Sequence, residues 1–389
     1  MAQPFPLHQQ DLESLREIRR NLDDLPGSDF FSSWDSTGAD PCSSFAGVVC
    51  QPDVGGGLYQ RVQSLNLGTG LAGSLGLTGS LSPALGNLTA LLQLVVYPGN
   101  VSGDIPDSIC NLQSLQYLEI TSNSISGRIP ACLENLQSLH TIDLGYNNLH
   151  GPIPANLSSS SMALRVLILT SNFLSGPLPN FDAQFFHIDI KKNLFTGFLP
   201  RFPASLRYLS ASQNRLSGPL TNLVPLPQLS FLDMSMNDFN GSIPTALFSY
   251  DISSLLLQRN NLSGQIPSMS QRANLAAATV DLSHNNLTGE LPVGLAGVEN
   301  LFLNNNRFTG PVPVEFVNNV YGGSLKTLYL QHNYLTSFPV PPGGGAGLPE
   351  SGSLCISYNC MDPPVRPPCP ASAGKQQSRP VNQCPAYNG

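Results

Sequence analysis

The sequence predicts an α/β solenoid, in which one short unit is copied about twelve times and stacked on a parallel sheet. Three observations predict it. One is the run Leu115-x-x-Leu118-x-Ile120-x-x-Asn123-x-Ile125-x-Gly127-x-Ile129-Pro130-x-x-Leu133-x-x-Leu136. The next is its return 24 residues later, as Leu139, Ile142, Leu144, Asn147, Leu149, Gly151, Ile153-Pro154 and Leu157. Last is a column: Gly99, then Asn123, Asn147, Asn172, Asn193, Asn214, Asn237, Asn260, Asn285, Asn306 and Asn333, at spacings of 21 to 27. A degenerate copy precedes them at Leu65 and Leu67. Ten Asn in register exclude chance, and self-similarity at a period of about 20–50 residues marks a stacked array.

Each part of the unit has a physical task. The apolar-x-apolar pair reads as a short strand with both side chains on the inner face. One such strand cannot bury that face alone, whereas stacked copies build a continuous core. The Asn falls where the chain turns inward, and its amide both donates and accepts. A column of Asn can therefore satisfy backbone groups that the turn would leave buried and unpaired. The Gly four residues on permits backbone geometry that a Cβ hinders. Ile-Pro then extends the chain without needing a backbone donor.

The head Leu-x-x-Leu-x-Leu-x-x-Asn is the signature of leucine-rich repeats. Asn148-Leu149-His150-Gly151-Pro152-Ile153-Pro154 and Asn261-Leu262-Ser263-Gly264-Gln265-Ile266-Pro267 resemble the plant type. That resemblance covers roughly residues 11 to 384. It implies a right-handed superhelix with a concave parallel sheet and a second, less regular set of strands beside it.

Composition narrows the class. Charged residues are 11% and the net charge is −7, which argues against nucleic acid and its need for a basic footprint. No apolar run is long enough to span a membrane. Met1-Ala2-Gln3-Pro4 has neither the charged nor the apolar region of a signal peptide, so the expectation is a mature chain whose signal is absent from this sequence. The eight Cys, at Cys42, Cys50, Cys110, Cys132, Cys355, Cys360, Cys369 and Cys384, cluster toward the ends and suggest disulfides. Six Asn-x-Ser/Thr sequons stand at Asn87, Asn100, Asn156, Asn240, Asn261 and Asn286. Together these predict an extracellular protein of the apoplast or cell wall.

Taken in order, residues 1–10 are expected to be a disordered lead-in and 11–60 an N-terminal cap. Asp11 to Leu25 reads as a helix with Leu12, Leu15, Ile18, Leu22 and Leu25 on one face. Asp11 is its expected N-cap, and Pro26-Gly27 its stop. Trp34, Asp40-Pro41-Cys42 and Phe45-Ala46-Gly47-Val48-Val49-Cys50 follow, and this run resembles the N-terminal cap of plant receptor ectodomains. The resemblance implies a Cys42–Cys50 bridge that shields the open end of the core. Gly68-Thr69-Gly70-Leu71-Ala72-Gly73 fits a dinucleotide fingerprint, but a Gly/Ser-rich stretch follows instead of a helix, and the next acid is Asp104. It reads as an insertion in an irregular first repeat. Cys110 and Cys132, on consecutive repeats, are either a bridge or two thiols, and no His accompanies them to hold a metal. The repeats occupy 61–339. A Pro/Gly-rich cap and tail, 340–389, resembles that of secreted plant leucine-rich-repeat proteins, which are related to receptor-like proteins. Its four Cys allow three connectivities.

In such an array the outward residues of the concave strands form the natural binding surface. Three patches stand out. An acidic and aromatic one joins Tyr117, Glu119, Asp143 and Tyr146. The second holds His187, Asp189, Lys191 and Lys192, followed by Tyr208 and Gln213. The third is Phe302, Tyr329, Gln331 and His332, and Phe231 and Arg259 lie between. Exposed aromatics and Arg on a rigid surface are typical binding anchors. The plain alternative for Asp143, Asp233 and Asp281 is solubility of the sheet. Glu119 and Asp143 fall on adjacent strands about 5 Å apart, a glycosidase-like spacing. An open wet sheet offers nothing to raise one of them by burial, and no nucleophile motif is present, so no enzyme, cofactor or metal is expected.

The reading that follows is a secreted recognition protein in plant signalling or defence. It would bind a peptide, a wall glycan or a receptor partner such as a membrane receptor kinase along the concave face. One alternative is an inhibitor of a microbial wall-degrading hydrolase, like the polygalacturonase-inhibiting proteins, which carry a shorter two-Cys C-terminal cap. Another is a structural wall component bound to polysaccharide.

Overall fold

The computed structural model describes residues 5–34, 40–53, 56–68, 75–267, 278–340, 347–364 and 369–384. The chain divides into two compact units, Met1–Thr196 and Gly197–Gly389. Most of the Gly-x-Gly-x-x-Gly run, residues 69–73, lies outside the described residues.

In the N-terminal unit, Val48–Pro52 pairs antiparallel with Gln60–Leu67. Gln93–Val96, Tyr117–Ile120, Thr141–Asp143, Val166–Ile168 and His187–Asp189 then add in parallel, one per repeat. Leu94, Leu118, Ile142, Leu167 and Ile188 are wholly buried on the inner face, each contributing about 1.5–3 kcal/mol. Beside this sheet runs the expected second set of strands. Leu77–Ser80, Asn100–Asp104 and Ser124–Ser126 form one parallel group, and His150–Gly151 pairs with Phe173–Pro177. The C-terminal unit repeats the arrangement with Tyr208–Ser210, Phe231–Asp233, Ser254–Leu256, Thr279–Asp281, Asn300–Phe302, Thr327–Tyr329 and Ser353–Cys355. Return segments are mostly single 3₁₀ turns, such as Asp107–Asn111 and Ala131–Asn135. The longest repeat spends its extra residues on a true α-helix, Val314–Gly322.

The Asn column works as a ladder. Asn172 accepts at Oδ1 from the Leu149 amide at 3.0 Å, and its Nδ2 donates back to Leu144 O at 2.9 Å and to its own repeat at Leu169 O. Asn147, Asn237 and Asn306 do the same one repeat apart. The ladder continues past Asn333 to Asn359, which accepts from Leu335 N and donates to Leu330 O. Leu354-x-Ile356-x-x-Asn359 is thus a further repeat inside the expected C-terminal cap, and its template was there to be read.

Gly99 breaks the column for a steric reason. A Cβ there would sit 2.6 Å from Leu77 O and 2.8 Å from Leu77 N, so no side chain fits. The residue just before each ladder Asn is left-handed, from Ser122 at φ 52° to Tyr358 at φ 58°. Pro98 cannot adopt that conformation, and it precedes the one Gly in the column.

The N-terminal cap differs from expectation. The segment expected to be disordered pairs where it is described: Leu7 bridges Gln60, and the Gln60 amide donates to Pro6 O. The helix runs Gln9–Asn21 with His8 as N-cap. Asp11 is therefore not a cap. It is wholly buried and takes two hydrogen bonds from the Arg61 guanidinium, both 3.0 Å, and one from Val62 N at 2.9 Å. The helix also ends early, because Leu22–Asp24 leaves it to pair antiparallel with Leu77–Ser80. Trp34 stacks on Phe45 at 4.9 Å, and its indole donates to Ala46 O.

Four disulfides close the chain: Cys42–Cys50, Cys110–Cys132, Cys355–Cys369 and Cys360–Cys384. The last two select one of the three open connectivities. They hold the tail on the final strands, where Arg379 lies over Tyr334 and Tyr358 and donates to Asn333 O.

Candidate ligand-binding face

The outward side chains of the parallel strands stand in two columns, with a third and fourth in the turn that leads to each ladder Asn. In the N-terminal unit, register places Tyr117 beside Thr141 and Glu119 beside Asp143. Asp143, Ile168 and Asp189 follow across the next two strands. The strand-to-turn geometry adds Tyr146, which sits in the left-handed position at φ 56° and is 54% exposed. Tyr117 is 41% exposed. Both rings therefore face solvent on one surface with the carboxylates between them.

This surface is not uniformly open. Thr121, Ser122, Asp143, Tyr146, Ile168, Thr170, Asp189 and Lys191 enclose a depression of about 260 Å³. It merges residues of two patches that the sequence reading kept apart. Asp189 is buried and paired with Lys191, Nζ to Oδ2 at 2.8 Å. Asp143 is half-buried and accepts from the Gly145 amide at 3.0 Å. Burial holds the Asp143 carboxyl above the ordinary carboxylate range, against the Gly145 bond, with Glu119 and Asp189 adding to the rise. The expectation that nothing on the sheet would raise a carboxylate by burial is thus corrected. The physical cause is the flanking rows of side chains, which wall the face in. Burial also lowers His187, with Asp189 opposing. Lys192 is left-handed and exposed.

In the C-terminal unit Tyr208 and Phe231 stack at 4.3 Å with planes 5° apart. Arg259 is exposed in the left-handed position. Nearby, burial raises Asp281, while Ser283, His284 and Arg259 lower it. Phe302 meets Tyr329 edge-on at 5.3 Å, and the Tyr329 hydroxyl bonds Ser353. His332 is not available in the expected third patch, because its ring bonds Ala373 O and packs on Tyr358 under the tail.

Sequence reasoning named Gln331 in its third patch but singled out neither Thr170 nor Gln258, and it missed the burial that such positions share. Thr170 Oγ1 in the first unit, and Ser210 Oγ, Gln258 Oε1 and Gln331 Oε1 in the second, are buried without a hydrogen-bond partner. All four lie in the outward strand or turn columns. The register could have found them, since Thr170, Gln258 and Gln331 occupy the same place before Asn as Lys191. Only the burial of that place was hidden.

Comparison with known proteins agrees with this fold. Residues 8–51 match the leucine rich repeat N-terminal domain, and residues 114–136, 138–160 and 278–298 match the leucine rich repeat. The fold is a leucine-rich-repeat solenoid, and its N-terminal cap matches that domain. Its fold is similar to plant receptor-kinase ectodomains. The PEPR1–AtPEP1 structure is 24% identical with a TM-score of 0.62, over 91% of this chain and 59% of that one. The plant peptide hormone receptor RGFR1, in complex with RGF2, is 26% identical with a TM-score of 0.56, over 77% and 57%. A plant ice-binding protein is 27% identical with a TM-score of 0.54, over 72% of this chain and 94% of that chain. This chain thus spans less than two thirds of the length of those two receptor chains. No helix among its described residues is long and apolar enough to cross a membrane.

Proposed function

We propose that this protein works outside a plant cell and holds an extended peptide along the outward face of its parallel strands. The observation that carries the reading is the set of buried, unpartnered polar groups on that face, Thr170 in one unit and Ser210, Gln258 and Gln331 in the other. Buried polar groups ordinarily have partners, and the backbone of an extended peptide offers a donor and an acceptor at every residue. Tyr117 and Tyr146 in one unit, or Tyr208 and Phe231 in the other, supply anchors for its side chains. The four disulfides suit an oxidising compartment. Asn87, Asn100, Asn156, Asn240 and Asn261 are exposed sequons open to glycan, and Asn286 is half-buried. The RGFR1 structure holds a peptide hormone, which supports the same class here. The outward columns change chemistry from strand to strand, as a peptide reader would and an ice-lattice match would not.

The test is photo-crosslinking. A benzophenone amino acid is placed at Tyr117, Tyr146 or Phe231 of the secreted, glycosylated protein, which is then incubated with an apoplastic peptide fraction. Crosslinked peptides at these positions, and none from a probe at exposed Asn156, are expected. Crosslinks to a hydrolase or a wall glycan instead would overturn the peptide reading.

A further inference from the structure

We propose that the depression on the N-terminal unit is a subsite for one cationic side chain, a guanidinium or alkylammonium, of the bound peptide. The inference rests on the peptide reading above and adds what this part of the face selects.

Size comes first. At about 260 Å³ the depression is smaller than the roughly 300–1,000 Å³ of a site for a cofactor or drug-sized ligand. It suits one long side chain. Charge comes next. Its wall carries Asp143 and Asp189 against Lys191, and Lys191 is held by Asp189. Glu119 adds a third carboxylate in register beside Asp143. The local balance is therefore acidic, and Asp143 has an amide donor, Gly145 N, but no cation of its own among the hydrogen bonds described. A half-buried carboxylate pushed upward by burial and by two like charges gains most from an incoming cation.

A separate observation also points to a guest. Thr170 lines the depression, is only 2% exposed, and its Oγ1 has no partner. A hydroxyl there can accept one N–H of a guanidinium while Asp143 accepts another. Tyr146 stands at the rim with its ring 54% exposed, placed for cation–π contact with the same group. An anion would meet Asp143, Asp189 and Glu119 and find Lys191 already engaged.

The test uses short synthetic probes titrated against the whole protein by ligand-observed NMR. The probes are Ac-Gly-Gly-Arg-Gly-Gly-NH2, the same peptide with citrulline or Glu in place of Arg, and agmatine. On the unaltered protein the Arg peptide is expected to bind at least tenfold tighter than the citrulline one, with the Glu peptide weakest. Asp143→Asn, which keeps the Gly145 bond, should cut the Arg preference to threefold or less, and Thr170→Val should reduce it severalfold. Asp107→Asn, outside the depression, should leave it unchanged. Equal binding of the Arg, citrulline and Glu peptides to the unaltered protein would overturn the proposal without reference to any variant's folding. So would an Arg preference that Asp143→Asn does not alter. Agmatine binding as tightly as the Arg peptide, with the same dependence on Asp143, would overturn the peptide source and the function it rests on, while leaving a free-amine site.

Discussion

Replacing Asp11 with Ala removes the partner of a guanidinium that is only 13% exposed. Arg61 loses both 3.0 Å bonds to Asp11 and keeps one to Thr89 Oγ1 at 2.9 Å, while Val62 N loses its 2.9 Å acceptor. Breaking a buried pair from one side costs about 3–5 kcal/mol, because the remaining charge is stranded. At 1.4 kcal/mol per decade, the opened cap should become roughly two to three and a half decades more populated. Trp34 makes this measurable. It is the chain's single tryptophan, and it is buried in the cap. Its fluorescence during urea unfolding therefore reports the cap, while far-UV circular dichroism reports the repeats, and in a stacked array the two need not coincide. The expected result is an early fluorescence transition in Asp11→Ala and a nearly unchanged dichroism transition. The pair Asp11→Leu with Arg61→Met removes the stranded charge and leaves Val62 N unpaired, so it should cost only about 1–3 kcal/mol. A single variant costing under about 1 kcal/mol, or a double variant as damaging as the single, would refute the reasoning.

Asn172→Ala should destabilise the N-terminal unit by about 1–3 kcal/mol, since it strands Leu149 N away from water while Leu144 O keeps the Asn147 amide at 3.2 Å; hydrogen exchange at Leu149 would show the loss directly. Asp143 and Asp281 both have folded pKa values raised chiefly by burial. Between the unfolded and folded values the folded state binds more protons, so their contribution is fully present below that window and is lost as pH rises through it. Asp143→Asn with Asp281→Asn should therefore raise Tm at pH 7 and flatten its fall as pH rises above the ordinary carboxylate pKa of about 4; an unchanged slope would count against the burial. Replacing Cys110 and Cys132 by Ser together opens a link across 22 residues and should cost about 3 kcal/mol by chain entropy, read as a lower urea midpoint.

Much of the fold was legible because the repeat is written in spacing. Leu118, Ile120 and Asn123 name their own positions, and the Asn ladder follows from what an amide can donate and accept. The N-terminal cap was harder, because Asp11 satisfies the local rules of a helix start and only Arg61, fifty residues away, shows otherwise. Leu22 likewise continues the apolar stripe of the helix, yet a nearby strand edge at Leu77–Ser80 claims it. The outward residues of the face could be named from register. What register could not supply was depth: Asp143 and Thr170 are ordinary polar letters until neighbouring rows of side chains enclose them.

The left-handed position before each Asn sets a rule for redesign. Tyr146, Lys192, Arg259 and His284 face outward from it, at φ from 55° to 58°. An L-residue pays there for its Cβ, a β-branched one pays most, and Pro cannot enter. Ser, Tyr, Lys, Gln, Met, Arg, His and Asn occupy the column, and Val, Ile and Thr do not. A library meant to retarget this surface can vary the strand columns widely, but in this column it should draw on a restricted alphabet of unbranched side chains.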